Sequence, residues 1–356
     1  MEITEIPTEG YERVVRCRDQ ASGLHAIISV HSTLLGPSLG GLRMWPYASE
    51  DDALYDVLRL SKGMTYKSAV AHTGLGGGKA VILGDPRTAK SEALYLAMGK
   101  FVDSLGGSYI TAEDVNTTIA DLEIIRRVTK WVTGLSEADG GSGNPSPYTA
   151  YGVYLGVRAA LGWQLGSDQL KGRTVAIQGV GAVGSDLCRR LVKDGAEVVI
   201  ADRNEERVQS LVDELAVRSV AEAEILFQPV DVLAPCALGA VLDDNTIPKL
   251  QCKIVAGAAN NPLRDPKHGE DLVARGILYA PDYVINAGGI INVSTELMPG
   301  GFDKKASLER IERIPKALRE LWTIAKQENI APNIASNRLA ENILAEARSR
   351  KQRGSR

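Results

Sequence analysis

Two lysines and an aspartate stand at positions where they could share one reaction. Lys79 follows three consecutive glycines in GLGGGKAV, Lys67 ends GMTYK, and Asp114 lies in TAEDVN after an apolar stretch. One cation could hold a substrate carboxylate, the other could activate water or a carbonyl, and the carboxylate could move a proton. Glycines that narrow the surroundings of Lys79 would lower the pKa of its ammonium group. The alternative is that both lysines are ordinary surface residues and that Asp114 caps a turn.

The glycine run before Lys79 does not fit the phosphate-binding loop of nucleoside triphosphatases. That motif, G-x-x-x-x-G-K-[ST], requires a glycine at position 73 and a hydroxyl residue directly after the lysine. The chain has Thr73 and Ala80 at these two positions. The run therefore predicts a confined lysine rather than a phosphate site.

A second glycine motif predicts a dinucleotide-binding unit. A complete G-x-G-x-x-G follows the apolar strand TVAIQ and opens the helix SDLCRRLVKDG. The first glycine permits a tight turn, the second lets the backbone approach a pyrophosphate, and the third allows close packing of helix on strand. The predicted cofactor-binding residues of this turn are Gly179, Val180, Gly181, Ala182, Val183 and Gly184.

Asp202 ends the next predicted strand, AEVVIAD. A carboxylate at this place accepts hydrogen bonds from ribose hydroxyls and repels a 2′-phosphate, which favours NAD over NADP. Arg203 could stack on the adenine, weaken the bias against NADP, or simply be exposed. The alternative to cofactor binding is a glycine turn that serves packing alone.

The spacing of apolar residues divides the chain into alternating strands and helices. A strand–helix–strand unit typical of a parallel sheet covers 173–204. Other strands are predicted at 23–33, 79–86, 108–117, 230–236, 253–261 and 277–289, and helices at 49–69, 91–107, 149–163, 303–328 and 334–349. The Gly/Ser/Pro-rich segment 136–148 indicates a linker, and the basic last ten residues, ARSRKQRGSR, a frayed and solvated tail.

Length and composition predict a soluble globular protein with two domains. The chain has 356 residues, of which 44% are hydrophobic and 24% charged, and its net charge of −3 argues against nucleic acid or an anionic membrane as a partner. The N-terminal segment carries acids without an apolar core, so we expect neither a signal peptide nor a membrane span. The four cysteines are far apart and the four histidines lack metal-ligand spacing. These features predict reduced thiols, a cytoplasmic location and no metal.

Several long motifs resemble the Glu/Leu/Phe/Val amino-acid dehydrogenase family, and most closely its leucine-active members. The similarity runs in order from about residue 10 to residue 345. The motifs that carry it are LGPSLGGLRMW, GMTYK, GLGGGKAV, YITAEDVNT, GNPSPYTAYGVY, VAGAANN and YAPDYVINAGGIINV.

The resemblance implies an α/β fold of two domains with an active-site cleft between them. Residues 1–135 would form an α/β domain for substrate binding and assembly, and residues 136–325 a doubly wound Rossmann-type NAD domain. Residues 326–356 would form a C-terminal helix that packs back on the first domain, followed by the basic tail. The family forms homo-oligomers through its first domain, and we expect the strand AIISV at 26–30 to offer an edge for pairing.

The resemblance also implies a role for each candidate residue. Lys79 would be the catalytic lysine that activates the water attacking an imino carbon. Lys67 would bind the substrate carboxylate, helped by the backbone N–H groups of Gly40 and Gly41. Asp114 would exchange a proton with the amine.

Further positions would contact the cofactor and the substrate side chain. Asn261 would lie where the nicotinamide ribose meets the substrate, and Asn260 would bind the cofactor. The side-chain contacts would come from four apolar residues, Leu39, Ala112, Ile290 and Val293. Leu42 departs from the family, which usually has threonine there, and we expect an apolar side chain beside the carboxylate-binding turn.

Together these features predict reversible NAD-dependent oxidative deamination of leucine, valine and isoleucine to 2-oxo acids and ammonium. An apolar lining excludes a glutamate-type substrate, because an unpaired buried carboxylate is too costly. The first alternative is a dehydrogenase of phenylalanine or another large apolar amino acid. The second, from another class, is a non-catalytic NAD-binding regulator, which would need none of Lys67, Lys79 and Asp114.

Overall fold

The computed structural model describes residues 1–237 and 239–354, and the chain divides into two compact units. Unit 1 contains Met1–Asn144, Val293–Asp303 and Ala340–Arg356, and unit 2 contains Pro145–Asn292 and Lys304–Leu339. Each unit has a six-stranded sheet with helices, so the predicted two-domain α/β class is confirmed. The domain limits at 135/136 and 325/326 remain sequence-based predictions.

Unit 1 is built on a mixed sheet. Its elements are β1 (Glu2–Glu5), β2 (Arg13–Asp19), β3 (Leu24–Ser32), β4 (Ser38–Trp45), α1 (Glu50–Val70), β5 (Gly76–Leu83), α2 (Glu92–Asp103), β6 (Tyr109–Glu113) and α3 (Ile119–Arg126). The strand order is β1-β2-β3-β5-β4-β6, in which β5 runs antiparallel to β3 and parallel to β4. The strand that carries Lys79 therefore lies in the middle of the sheet.

Helix α1 begins as the sequence predicts and packs closely on the sheet. The Ser49 side chain caps it by accepting the backbone N–H of Asp52. The residues that α1 buries are mostly small: Ala53, Val57, Ser61, Thr65, Ser68, Ala69 and Val70. Small side chains allow the helix backbone to approach the strands beneath it.

Unit 2 is built on a parallel sheet. The elements from residue 146 onward are α4 (Ser146–Leu165), β7 (Thr174–Gln178), α5 (Ala182–Lys193), β8 (Glu197–Ala201), α6 (Glu205–Leu215), β9 (Arg218–Ser219), β10 (Val232–Pro235), β11 (Ile254–Val255), α7 (His268–Ala274), β12 (Leu278–Tyr279), α8 (Asp282–Ile285), α9 (Gly288–Thr295), α10 (Lys304–Ile311), α11 (Ile314–Glu328) and α12 (Pro332–Gly354), most of which belong to unit 2. The strand order β12-β11-β10-β7-β8-β9 is that of a doubly wound dinucleotide-binding sheet. The last residues of α9 and the larger part of α12 belong to unit 1.

Three local predictions are wrong. The strand expected at 277–289 is only Leu278–Tyr279, followed by α8 and α9, because an apolar run does not distinguish a strand from a buried helix. The helix expected at 303–328 is two helices, α10 and α11, and α11 begins with a proline in its first turn. Of the last ten residues, those that the structure describes are largely exposed as predicted, but they are helical as far as Gly354 rather than frayed, and Glu346 and Arg350, one turn apart, form an ion pair. Residues 355 and 356 lie outside the described residues.

The strand AIISV does not offer a free edge, contrary to the sequence-based expectation. It lies within β3, which pairs with β2 on one side and with β5 on the other. The outer strands of this sheet are β1 and β6. An apolar strand with every position buried or nearly so belongs in the centre of a sheet, and its pattern could not distinguish the two locations.

Candidate active site

Lys79 is buried in the middle of the unit 1 sheet, and the glycines before it explain how. The residue is only 5% exposed. A Cβ atom on Gly77 would lie 2.0 Å from the backbone nitrogen of Thr65 in α1, so only glycine lets the helix pack so closely there. A Cβ on Gly78 would lie 2.7 Å from the ring of Tyr109. The glycine run thus confines Lys79 by bringing helix and strand together.

Asp114 faces Lys79 directly from the loop that follows β6. The Lys79 Nζ atom donates to Oδ2 of Asp114 over 2.7 Å. The loop is held by Thr117, whose Oγ1 accepts the backbone N–H of Asp114 over 2.9 Å and donates to the Leu42 carbonyl over 2.6 Å. A Cβ on Gly41 would lie 2.7 Å from the Asp114 Cβ. Gly41 therefore leaves the space that the Asp114 side chain occupies.

Burial and charge shift the pKa of both members of the pair downward. Burial lowers the pKa of the Lys79 ammonium, and the charge of Asp114 opposes this only in part. Burial acts to raise the pKa of Asp114, but the positive charges of Lys79 and Arg43 outweigh it and hold the pKa below its usual value. The pair thus combines an ionised carboxylate with a lysine that releases its proton more readily than in water.

Sequence reasoning missed Arg43, which is the second cation at Asp114. The Arg43 Nε atom donates to Oδ2 of Asp114 over 3.0 Å, and its Nη1 donates to Oδ2 of Asp56 over 2.8 Å. The hydroxyl of Tyr47 donates to the same Asp56 oxygen over 2.8 Å. The sequence signal that could have identified Arg43 is its place in GGLR, two positions after Gly41, which leaves space for Asp114.

Lys67 and the remaining unit 1 candidates lie on the elements around Lys79. Lys67 is half-buried in the last turn of α1, where the helix covers the sheet. Leu39 is 2% exposed on β4, and the register pairs Gly41 of β4 with Ala112 of β6. The carbonyl of Gly40 accepts the buried Tyr109 hydroxyl over 2.7 Å.

Leu42 does not lie beside the carboxylate-binding turn as expected. Its side chain is fully buried in the apolar core with Met44, Ala80 and Ile82. Strand alternation places it on the sheet face opposite the one that carries its neighbour Arg43. The substitution of threonine by leucine is therefore a change in the core.

Val293 is held near β6 through Glu296. One oxygen of the Glu296 carboxylate accepts the Thr133 hydroxyl over 2.6 Å and the Gly134 N–H over 2.9 Å, and the other accepts the Ser142 N–H over 2.7 Å. Sequence reasoning did not identify Glu296, because its partners lie more than 150 residues earlier in the chain. Ile290 lies in α9 and is half-buried.

The three glycines of the unit 2 turn differ in their surroundings. Gly179 has a φ of +91°, and a Cβ there would lie 2.8 Å from Ala237. A Cβ on Gly184 would lie 2.0 Å from the Gly179 carbonyl oxygen, so α5 packs directly on the strand. A Cβ on Gly181 would meet no atom within 4 Å, and a groove of about 380 Å³ opens beside it. Two glycines of the turn are thus closely packed, and the turn is open at Gly181, where the groove continues between α5 and α6.

Asp202 follows β8 and contacts this turn. Its Oδ2 accepts the Val180 N–H over 2.7 Å, and its Oδ1 accepts the Asn204 N–H over 2.9 Å. A carboxylate has about four lone-pair sites, so it can still accept ribose hydroxyls. Arg203 is 84% exposed at its side chain and forms an ion pair with Glu222 over 2.9 Å. Ala182 and Val183 form the first turn of α5.

Asn260 and Asn261 are exposed and follow β11 at the carboxyl edge of the unit 2 sheet. The Asn260 Oδ1 atom accepts an amide hydrogen of Asn286 over 2.8 Å, which fixes its orientation. Asn261 has a φ of +51°, and its backbone N–H donates to Asp282 over 2.7 Å. Ligands of open parallel sheets bind at this edge.

Asp244, His268 and Asp271 form a cluster in unit 2 with metal-ligand types. The Nδ1 atom of His268 accepts the backbone N–H of Asp265 over 2.9 Å. A neutral imidazole with this bond carries its proton on Nε2, which therefore has no lone pair to offer a metal.

Among the described residues, no helix is both long and apolar enough to cross a membrane.

Both units match models of one protein family. The model described as Glu/Leu/Phe/Val dehydrogenase, dimerisation domain, matches residues 11–131. The model described as Glutamate/Leucine/Phenylalanine/Valine dehydrogenase matches residues 140–204 and 200–353. The two matches cover most of the chain.

Individual relatives are similar over nearly their full length. A leucine dehydrogenase of Geobacillus stearothermophilus is 51% identical over 94% of this chain and 90% of its own. A valine dehydrogenase of Streptomyces virginiae is 49% identical over 95% of each chain. The crystal structure of L-tryptophan dehydrogenase from Nostoc punctiforme superposes with a TM-score of 0.86 at 41% identity, over 96% of this chain and 97% of that one.

Proposed function

Because this chain belongs to the Glu/Leu/Phe/Val dehydrogenase family of amino-acid dehydrogenases, we propose that it deaminates branched-chain L-amino acids oxidatively. The products would be the 2-oxo acid and ammonium, and the reaction would be reversible. Relatives named leucine dehydrogenase and valine dehydrogenase, at 51% and 49% identity, support a branched aliphatic substrate. The observation that carries the proposal is the buried ion pair of Lys79 and Asp114, because a purely cofactor-binding regulator needs neither residue.

The proposed roles of the three polar residues follow from their charges. Lys67 binds the substrate carboxylate, together with the backbone N–H groups of Gly40 and Gly41. Asp114 is ionised and takes a proton from the substrate amine. Lys79, with its lowered pKa, then removes a proton from the water that attacks the imino carbon and stabilises the charge that develops there. Asp114 then returns its proton to the nitrogen of the adduct, and the C–N bond breaks. The hydroxyl proton of the adduct passes to the departing ammonia, which leaves as ammonium, and Lys79 releases the proton from water to solvent.

We propose NAD as the oxidant, and when bound it accepts a hydride from the substrate Cα. The open space at Gly181 and the N-terminus of α5 suit a pyrophosphate. The Asp202 carboxylate suits ribose hydroxyls and disfavours a 2′-phosphate. Asn260 would contact the same cofactor, and Asn261 would lie close to both cofactor and substrate.

The proposed contacts of the substrate side chain are all apolar. They come from Leu39, Ala112, Ile290 and Val293. The side-chain carboxylate of a glutamate substrate would find no charged or hydrogen-bonding partner among these four residues, which excludes glutamate as a good substrate. Leucine and isoleucine are isomers and valine is one methylene smaller, a difference worth only about 1–3 kcal/mol in discrimination, so we expect broad use of all three.

Ile290→Ala tests this assignment of specificity. The substitution removes three carbon atoms, which gives room to an aromatic ring of the substrate. A leucine substrate loses packing contacts, and each buried methylene is worth about 0.8 kcal/mol of binding free energy. We expect the ratio of kcat/KM for leucine to that for phenylalanine to fall at least tenfold. An unchanged ratio in a folded variant would show that Ile290 does not contact the substrate side chain.

A dehydrogenase of large aromatic amino acids is the second candidate, favoured by the similarity to an L-tryptophan dehydrogenase. A panel of amino acids with NAD and with NADP, followed by the absorbance of the reduced cofactor, separates the candidates. We expect turnover of leucine, valine and isoleucine with NAD. Turnover of phenylalanine or tryptophan alone would favour the aromatic candidate, and cofactor binding without any turnover would favour a regulator.

Assembly and location complete the proposal. The model matched by residues 11–131 is described as a dimerisation domain, which supports a homo-oligomer formed through unit 1. We propose a cytoplasmic location, consistent with four free cysteines.

A further inference from the structure

The charged groups at Asp114 continue beyond Lys79 into a second ion pair. Arg43 joins Asp114 to Asp56, with donor–acceptor distances of 3.0 and 2.8 Å. Charges alternate in sign along Asp56, Arg43, Asp114 and Lys79, so each inner charge has an opposite charge on both sides. The Tyr47 hydroxyl adds a further hydrogen bond to Asp56. The side chains of Arg43 and Asp56 are 21% and 16% exposed, so solvent screens these contacts only in part.

Both cations bind the same oxygen of Asp114. Lys79 and Arg43 each donate to Oδ2, whereas Oδ1 accepts no hydrogen bond from any described residue. A carboxylate oxygen has about two lone-pair sites, so Oδ2 is saturated by these two donors. Oδ1 is then the oxygen that remains for the proton of a substrate amine.

We propose that Arg43, held by Asp56, is a positioning residue that keeps Asp114 ionised and turns its Oδ1 toward the substrate amine. The inference rests on the proposed deamination, since it assigns a role within that reaction. Arg43 itself touches Asp114 and not the reacting atoms. Its contribution is therefore to orientation and to the proton affinity of Asp114.

Several charged or titratable groups face Asp114 from the neighbouring elements. They are Lys79 of β5, Arg43 of β4, Asp56 of α1 through Arg43, and Glu113 and Tyr109 of β6. Of the groups named here, Lys79 and Arg43 favour the ionised form of Asp114. Removing Arg43 takes away one of these two charges, so the pKa of Asp114 must rise. Arg43 also helps to lower the pKa of Lys79, so its removal raises the pKa of that ammonium as well. Because deamination needs the ionised Asp114 and the neutral Lys79, the acid limb of kcat/KM must move to higher pH.

The test compares pH profiles of kcat/KM for deamination in the wild type and its variants. Arg43→Met is expected to move the acid limb upward by about one pH unit or more. Arg43→Lys keeps a cation and is expected to restore part of that shift. Asp56→Asn removes the anchor of Arg43 and is expected to give a smaller shift in the same direction.

Arg16→Met is the matched control. Arg16 lies on β2 of the same sheet, binds Glu50 of α1 over 2.9 Å and has a side chain that is 28% exposed. It resembles Arg43 in burial and partner but is not bonded to Asp114. We expect the acid limb of the kcat/KM profile of Arg16→Met to coincide with that of the wild type. A loss of kcat/KM in Arg43→Met by the same factor at every pH, with the acid limb unmoved, would overturn the proposal.

A measurement of stability separates this inference from the proposed function. If the wild type turns over no amino acid, the proposed function fails. The effect of Arg43→Met is then measured as the difference in Tm between the Asp56→Asn variant and the double variant that carries both substitutions. A lowered pKa of Asp114 stabilises the folded state above the unfolded pKa of about 3.9, and this contribution is lost as pH falls through the folded pKa. The loss of Tm caused by Arg43→Met must then shrink below about pH 4. A loss that is independent of pH would refute the role of Arg43.

Discussion

At the level of single residues, Lys79 and Asp114 owe their properties to burial as much as to their contact. Lys79 is only 5% exposed, because the glycines of its strand let neighbouring backbone pack closely around it. The carboxylate of Asp114 is bound by two cations, Lys79 and Arg43. A lysine in water would be protonated throughout the neutral range and would activate water poorly. Confinement lowers its pKa, and the ion pair limits how far it falls.

Lys79→Ala tests the catalytic assignment. Turnover is expected to fall about 10³-fold, within the range for loss of a general acid–base group. NAD should still bind with unchanged affinity, because its proposed site lies in unit 2. Lys90→Ala is the matched control, since Lys90 forms an ion pair with Asp121 over 2.6 Å elsewhere in unit 1. Turnover of Lys79→Ala within tenfold of the wild type would contradict the assignment.

Asp202→Ala tests the cofactor assignment. Removal of the carboxylate takes away the acceptor for ribose hydroxyls and the repulsion of a 2′-phosphate. We expect the ratio of kcat/KM for NAD to that for NADP to be large in the wild type and to fall at least tenfold in the variant. Arg203→Ala should change the ratio less, because Arg203 is highly exposed and paired with Glu222. Equal use of both cofactors by the wild type would show that Asp202 does not set the preference.

At the level of elements, the contact of α1 with β5 positions the candidate site. The same helix carries Lys67 in its last turn and Asp56 on its second, and the strand carries Lys79. The separation of helix and strand is set where Gly77 meets the backbone of Thr65. A change at this contact would displace Lys67 and Asp56 together relative to Lys79.

Gly77→Ala tests the importance of this contact. The added Cβ would lie 2.0 Å from the Thr65 nitrogen, and backbone cannot move aside as a flexible side chain can. We expect a loss of about 1–3 kcal/mol, observed as a lower Tm, with a fall in kcat/KM. Gly63→Ala is the control on the same helix, because a Cβ there meets no atom within 4 Å. It should raise Tm slightly, since alanine favours a helix by roughly 1 kcal/mol over glycine. Equal Tm values for the two variants would refute the argument.

At the level of the whole molecule, the chain combines two sheets of different construction. Unit 1, built on the mixed sheet, contains Lys67, Lys79 and Asp114, and unit 2, built on the parallel sheet, contains the glycine turn and Asp202. The chain passes from unit 1 to unit 2 and back more than once. If the proposed assignments hold, the variants of Lys79 and Asp202 alter catalysis and cofactor preference separately.

Assembly is also a property of the whole molecule. We predict a homo-oligomer of at least two 38.1 kDa chains at micromolar concentration, measured by light scattering. Large apolar side chains exposed on unit 1 support association: Ile3, Trp45, Tyr55 and Val115. A mass of one chain that persists at tens of micromolar would contradict the prediction.

The sequence by itself predicted the features that contiguous residues encode. The α/β class, the capped start of α1 at Ser49 and the glycine turn of unit 2 each follow from local periodicity or turn chemistry. Motifs in their order along the chain indicated the family. The roles of Lys79 and Asp114 could be suggested in the same way, because each has recognisable neighbours in the sequence. The predicted strand 79–86 began at Lys79, whereas β5 begins at Gly76 and carries Lys79 in its interior.

The tertiary structure decided what depends on residues distant in sequence. It brings Arg43 between Asp56 and Asp114, and it brings Glu296 to Thr133, across a separation of 163 residues. It also places β3 inside the sheet rather than at an edge. No local pattern encodes these contacts, because each is selected by the packing of whole elements and by the requirement that buried charges find partners.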